Sequence, residues 1–120
     1  MHILFVEDDP IITSALSELL EAEGYDVDTC ATQDEAIARA TGAGSRPFDL
    51  ALLDVTLAQG NGFAVCNAIK QASPSTPVIF LTASGDEFNT VTGLTMGADD
   101  YVAKPFRPRE LIARIAGVLR

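Results

Sequence analysis

The hydrophobic residues of this chain fall into two patterns. Ile3-Leu4-Phe5-Val6, Leu50-Ala51-Leu52-Leu53 and Pro77-Val78-Ile79-Phe80-Leu81-Thr82 run without polar alternation. Such runs predict strands buried on both faces, the middle of a parallel sheet covered by helices above and below. A shorter strand is expected at Asp100-Tyr101-Val102-Ala103. Tyr25, Val27 and Thr29 alternate with Asp26 and Asp28, as an edge strand should.

Between the strands the apolar period lengthens to that of a helix. Pro10 suits a first turn, and Ile12, Leu16, Leu19 and Leu20 give one apolar face that Gly24 stops. Thr32-Gln33-Asp34-Glu35 matches a capping box, ahead of Ala36, Ile37 and Ala40, with Gly42 and Gly44 as the end. Phe63, Cys66, Ile69 and Ala72 mark a third helix closed by Ser73-Pro74. A fourth is expected over Glu87 to Met96, with Phe88, Val91 and Leu94 apolar and Gly97 as its stop. Its threonines at 90, 92 and 95 and Gly93 have poor helix propensity, so it should be the least rigid. Pro108 opens a last helix with Leu111, Ile112, Ile115, Val118 and Leu119 inward.

Five strands alternating with five helices imply an α/β domain with right-handed crossovers. A flavodoxin-like (βα)5 three-layer sandwich, with a five-stranded parallel sheet of order 2-1-3-4-5, places the two most apolar strands side by side. In open sheets of this kind ligands sit at the carboxyl ends of the strands. Strand 1 then delivers Glu7 and Asp8, strand 3 Asp54, strand 4 Thr82 and strand 5 Lys104, all at one edge. Taken singly each has a bland reading: acids favoured by a helix N-terminus, a turn aspartate, a β-branched strand residue, a solvated cation. Their coincidence at one edge is what points to chemistry.

Three carboxylates in one crevice repel one another unless a cation sits among them. Oxygen ligands select a hard divalent ion, and Mg2+ suits best because it takes one or two carboxylates and bridges to phosphate oxygens. A carboxylate beside such an ion can attack a phosphoryl group and form an acyl phosphate. Lys104 can neutralise one phosphoryl oxygen and Thr82 can donate to another.

Composition narrows the field. The 120 residues suffice for one domain, and 48% hydrophobic content excludes disorder. Eight basic against seventeen acidic residues give a net charge of −9, which argues against this domain itself holding nucleic acid or an anionic membrane. The apolar runs are strand length, and Met1-His2-Ile3-Leu4 enters a strand without a signal peptide's regions, so a cytoplasmic protein is expected. Cys30 and Cys66 lack metal or disulfide spacing and read as reduced packing residues.

Val6-Glu7-Asp8-Asp9, Leu53-Asp54-Val55, Leu81-Thr82-Ala83, Gly97-Ala98-Asp99-Asp100-Tyr101 and Lys104-Pro105-Phe106 together resemble the response-regulator receiver domain of two-component signalling. The resemblance covers essentially residues 1–120. It implies that Asp54 is the phospho-acceptor, fed by a sensor histidine kinase. It also implies that Glu7, Asp8, Asp54 and the backbone carbonyl of Thr56 hold Mg2+, with Asp8 the more direct ligand. Thr82 and Lys104 would contact the phosphoryl group, Tyr101 would be the aromatic switch, and Lys104-Pro105 would be a cis peptide. Such a domain assists its own phosphorylation and dephosphorylation without being an enzyme in the usual sense. Asp9 falls at a variable position and receives no role.

Gly97 to Tyr101 and Pro108 to Arg114 are similar, more narrowly, to OmpR/PhoB-type regulators. That likeness implies a C-terminal winged-helix DNA-binding domain outside this chain and a homodimer through the fourth helix, fifth strand and last helix. A stand-alone regulator, or a degenerate receiver that works without phosphorylation, are the alternatives. Several positions depart from the pattern. Ala58 replaces a usual proline in the loop after Asp54, leaving that loop less fixed. Arg107 replaces a capping serine. Asp100 and Arg114 keep one cross-subunit pair of the dimer face, whereas Thr90 and Thr95 replace a basic and an acidic residue, so a weak dimer is expected. Thr56 and Ser84 offer no amide or acid to align an attacking water, which implies a long-lived phosphoryl group.

Two other phosphate chemistries fit less well. A haloacid-dehalogenase-type phosphatase needs a second carboxylate two residues after the first, where this chain has Thr56. A flavodoxin needs a hydroxyl- and glycine-rich loop after strand 1, where this chain has Glu7-Asp8-Asp9-Pro10.

Overall fold

A computed structural model describes residues 1–42, 47–83, 91–92 and 94–120. Parallel strands β1 (His2–Val6), β2 (Asp26–Cys30), β3 (Leu50–Asp54), β4 (Val78–Ala83) and β5 (Asp100–Lys104) form one sheet of order β2-β1-β3-β4-β5. The flavodoxin-like order expected from the sequence is therefore the observed one. Helices α1 (Pro10–Ala22), α2 (Gln33–Thr41) and α3 (Gly62–Ala72) and a C-terminal helix (Pro108–Leu119) cover it.

Every residue of β1 and β3 is buried, which is why these strands carry no polar alternation. Successive side chains still divide between two cores. Leu4, Val6, Ala51, Leu53, Val78 and Phe80 face Ala36 of α2 and Val65, Cys66 and Ile69 of α3. Ile3, Phe5, Leu50, Leu52, Ile79, Leu81 and Val102 face Leu16 and Leu20 of α1 and Leu111 and Ile115 of the C-terminal helix. One helix pair thus lies on each face of the sheet.

The helix starts are set by side chains. Thr32 accepts from the Glu35 amide at 3.2 Å, as the capping box predicts. Asp9 accepts from the amides of Ile11 and Ile12, so this unassigned acid is the N-cap of α1. Asn61 caps α3 through the Ala64 amide at 3.0 Å, a role the sequence reading missed. Arg107 makes no side-chain cap bond, as its size and charge predict.

Some residues of the predicted patterns are not covered by a core. Thr29 is exposed: it follows Val27 on the same face of an edge strand, but only Val27 packs against the core. Ala72 is exposed and Val65 takes the buried place on α3. Val91 and Leu94 lie in helical conformation with more than half of their surface open, while Met96 and Ala98 pack against the core. Of the expected helix over 87–96, residues 91, 92, 94 and 95 are helical, and 87–90 and 93 lie outside the described residues, as do Gly44 and Ser84. No helix among the described residues is long and apolar enough to cross a membrane.

Candidate functional site

Strand register assembles the site. Val6 pairs with Leu53, which puts Glu7 beside Asp54 at adjacent strand ends. Asp54 pairs with Leu81, and Ala83 with Lys104 one strand further out. Glu7 and Asp54 are buried, and one oxygen from each of Glu7, Asp8 and Asp54 lies within 4.8 Å of the others.

The Lys104 ammonium joins two of these acids. Its Nζ is 2.6 Å from Asp54 Oδ2 and 2.7 Å from Glu7 Oε1. Burial alone would lower the lysine pKa, but hydrogen bonds to Asp54 and Glu7, together with their charges, outweigh it and raise it above the ordinary value. Lys104 is therefore held as a cation.

The backbone orients the carboxylates further. Asp54 Oδ1 accepts from the Thr56 amide at 3.1 Å, and Glu7 Oε2 accepts from the amides of Asp8 and Asp9 at 3.0 and 3.2 Å. Asp8 Oδ2 accepts from the Ala58 amide at 2.7 Å. The turn after β3 is closed by Gly62, whose amide donates to Val55 at 2.9 Å. A Cβ at Gly62 would stand 2.3 Å from the Asp54 carbonyl oxygen, so only glycine allows α3 to start this close to the site.

The crevice above these groups encloses about 730 Å³ and is lined by the four polar groups, Asp9 and Thr56, with Ile12, Pro105 and Phe106 as an apolar wall. Ile12 and Phe106 were not anticipated as site residues; their signal was only adjacency to Asp9 and Lys104. The Lys104-Pro105 peptide is cis, as expected. With oxygen donors alone, Glu7, Asp8 and Asp54 fit a hard divalent cation.

The remaining predicted residues are placed less uniformly. Thr82 is buried at the end of β4, paired with Ala103, but is not among the residues lining the crevice. Tyr101 lies two strands away from Asp54 on β5, half-buried, its ring 5.6 Å from that of Phe80. Asp100 and Arg114 meet within one chain: Arg114 Nη1 is 3.0 Å from Asp100 Oδ2, and Arg114 Nη2 3.1 Å from Glu110 Oε1.

The chain matches the family model described as response regulator receiver domain over residues 3–116. It is 46% identical over 118 residues to the transcriptional regulatory protein CpxR of Escherichia coli (strain K12), covering 98% of this chain and 49% of CpxR. It is 43% identical to the alkaline phosphatase synthesis transcriptional regulatory protein PhoP of Bacillus subtilis (strain 168), covering 98% of this chain and 48% of PhoP. The chain thus spans about half the length of these curated relatives. A CheY-like receiver domain protein from Methanospirillum hungatei JF-1 superposes with a TM-score of 0.90 at 34% identity, covering 98% of this chain and 92% of that one. Strand order, acidic cluster and these matches agree, and the chain belongs to the response regulator receiver domain family.

Proposed function

We propose that Asp54 accepts a phosphoryl group from a sensor histidine kinase, and that the change is passed to an effector domain outside this chain. One observation carries the reading: carboxylates of Glu7, Asp8 and Asp54 meet within 4.8 Å, with the Lys104 ammonium 2.6 Å from Asp54. A site with this much negative charge is suited to hold a cation and, with it, a further anion.

Glu7, Asp8, Asp54 and the Thr56 carbonyl would hold Mg2+. When bound, the ion supplies charge neutralisation between the attacking carboxylate and the phosphoryl oxygens. Thr56 and Lys104 hold one oxygen each of Asp54, so the nucleophile is oriented before a donor arrives. An Asp54 oxygen attacks phosphorus as the bond to the donor breaks, and Lys104 exchanges its bond to Asp54 for one to a phosphoryl oxygen. Thr82, at the next strand end, donates to another oxygen. The added charge of roughly −1.5 to −2, by analogy with other phospho-residues, draws Thr82 and Lys104 towards Asp54. Tyr101, on the strand that carries Lys104, reports the change on the face of β5 and the C-terminal helix. Without an amide or acid at Thr56 and Ser84, the phosphoryl group should persist. The domain in this reading is an acceptor that assists its own modification, not an enzyme acting on a separate substrate.

The names of the half-matched relatives support transcription as the output; in this reading a DNA-binding domain beyond this chain, in the cytoplasm, delivers it. The charge of −9 supports a domain that leaves nucleic acid to that partner. A homodimer through the fourth helix, β5 and the C-terminal helix would be weak, because Thr90 and Thr95 stand where that face usually carries a basic and an acidic residue. Incubation with a small acyl phosphate, with and without Mg2+, followed by intact mass, tests the central claim. Wild type should gain one phosphoryl mass only with Mg2+, and Asp54→Asn none; equal modification of both would remove Asp54 from its role.

A further inference from the structure

The loop between Asp54 and α3 is fastened at two places outside itself. Ala58 donates its amide to Asp8 Oδ2 at 2.7 Å, a bond that a proline at 58 could not make. Farther along, the start of α2 grips the loop. Gln33 donates its amide to the Gln59 carbonyl at 3.1 Å, and the Asp34 amide donates to Gln59 Oε1 at 3.2 Å. In return the Asn61 amide donates to Gln33 Oε1 at 3.0 Å. Gly60 sits at φ +83°, and a Cβ there would lie 2.1 Å from Gln33 Oε1, so the two segments touch as closely as glycine permits.

We propose that the Ala58 amide is a positioning group for the metal-holding carboxylate of Asp8, and that Gln33 and Gln59 clamp the loop that presents it. This rests on the reading of Glu7, Asp8 and Asp54 as a Mg2+ site. A ligating carboxylate whose second interaction is a fixed hydrogen bond enters coordination already oriented, and losing such an outer partner typically weakens metal binding by about 10-fold or more. Ala58 occupies the position whose usual residue would stiffen the loop from within. Here the same segment is held by its neighbours instead.

The test is a Mg2+ titration of the whole chain followed by 15N–1H NMR. Ala58→Pro, which deletes the N–H, should weaken Mg2+ by about 10-fold, whereas Ala58→Ser, which keeps it, should bind like wild type. Gln33→Leu should weaken Mg2+ by about threefold, an intermediate loss on the same scale. Equal or tighter binding by a folded Ala58→Pro overturns the proposal while leaving the metal site standing. A wild-type chain that takes up no Mg2+ overturns the functional reading instead. Should Ala58→Pro not fold, amide exchange without metal decides: the Ala58 N–H should be protected in wild type and exchange about 10-fold faster in Asp8→Ala, and equal rates reject the bond.

Discussion

Two cations of this chain each sit between two carboxylates, and they illustrate how burial changes the meaning of one motif. Lys104 lies between Glu7 and Asp54, whose side chains are 1% and 7% exposed. Arg114 lies between Asp100 and Glu110, at 25% and 48%. The contacts are similar in length, yet water screens the second group more than the first, where only the Lys104 side chain, 24% exposed, meets it appreciably. Charges removed from water are costly to leave unpaired, whereas an exposed pair gains little over its hydrated state. The buried triad therefore constrains what may enter the crevice. The exposed one mainly ties β5 to the C-terminal helix.

The sharpest way to break this contrast is to remove each cation in metal-free buffer. Lys104→Met should destabilise the fold by about 2–4 kcal/mol in chemical denaturation, because Glu7 and Asp54 lose their buried partner. Mg2+ should restore part of that loss. Arg114→Met should cost no more than about 1 kcal/mol and show no Mg2+ rescue. Losses of equal size would mean that burial is not the governing variable.

Alkali separates the pairs next. The Lys104 pKa is raised in the fold, so its stabilising contribution is complete below the unfolded lysine value of 10.5 and is lost as pH rises through the higher folded value. Denaturation midpoints should show this alkaline loss in wild type and a smaller one in Lys104→Met. Salt gives a smaller effect. Raising NaCl from about 0.05 to 0.5 M should erase most of the Arg114 contribution and little of the Lys104 one, read as the difference between each variant and wild type. The smallest expected change is at Cys30, whose thiol is pushed up to about 12 by burial and then by the nearby Glu35 charge. It should resist alkylation at neutral pH in the native state and react once unfolded; rapid native reaction would show that the core under α2 and α3, where Cys30 is buried, opens easily.

The two regions also differ in how far they could be read from residues alone. Unalternated runs at β1, β3 and β4 announced a sheet covered on both faces, since only such a sheet buries every side chain of a strand. That pattern, with Glu7, Asp54 and Lys104 following their strands, was enough to place them at one edge. For Thr82 the strand end was correctly located, and its side chain is buried there. Asp100 and Arg114, expected as one pair of a dimer face, also meet within the single chain. Thr29 and Ala72 kept the right period but are exposed among the described residues. Asp9 and Asn61 carried no role in the reading, although each caps a helix beside the site. A cap depends on backbone direction, which short polar residues permit without specifying.

Local periodicity and strand-end chemistry by themselves determined the layer order, the buried strands and the meeting of acids with one ammonium. All three follow from short-range regularities: side-chain alternation along a strand and the common direction of parallel strands. Tertiary structure alone decided the 2.7 Å bond from Ala58 to Asp8, the Gln33–Gln59 clamp and the closure of Arg114 on its own chain. These contacts join residues from separate elements. Their existence depends on distances of a few tenths of an ångström that packing sets and residue order does not express.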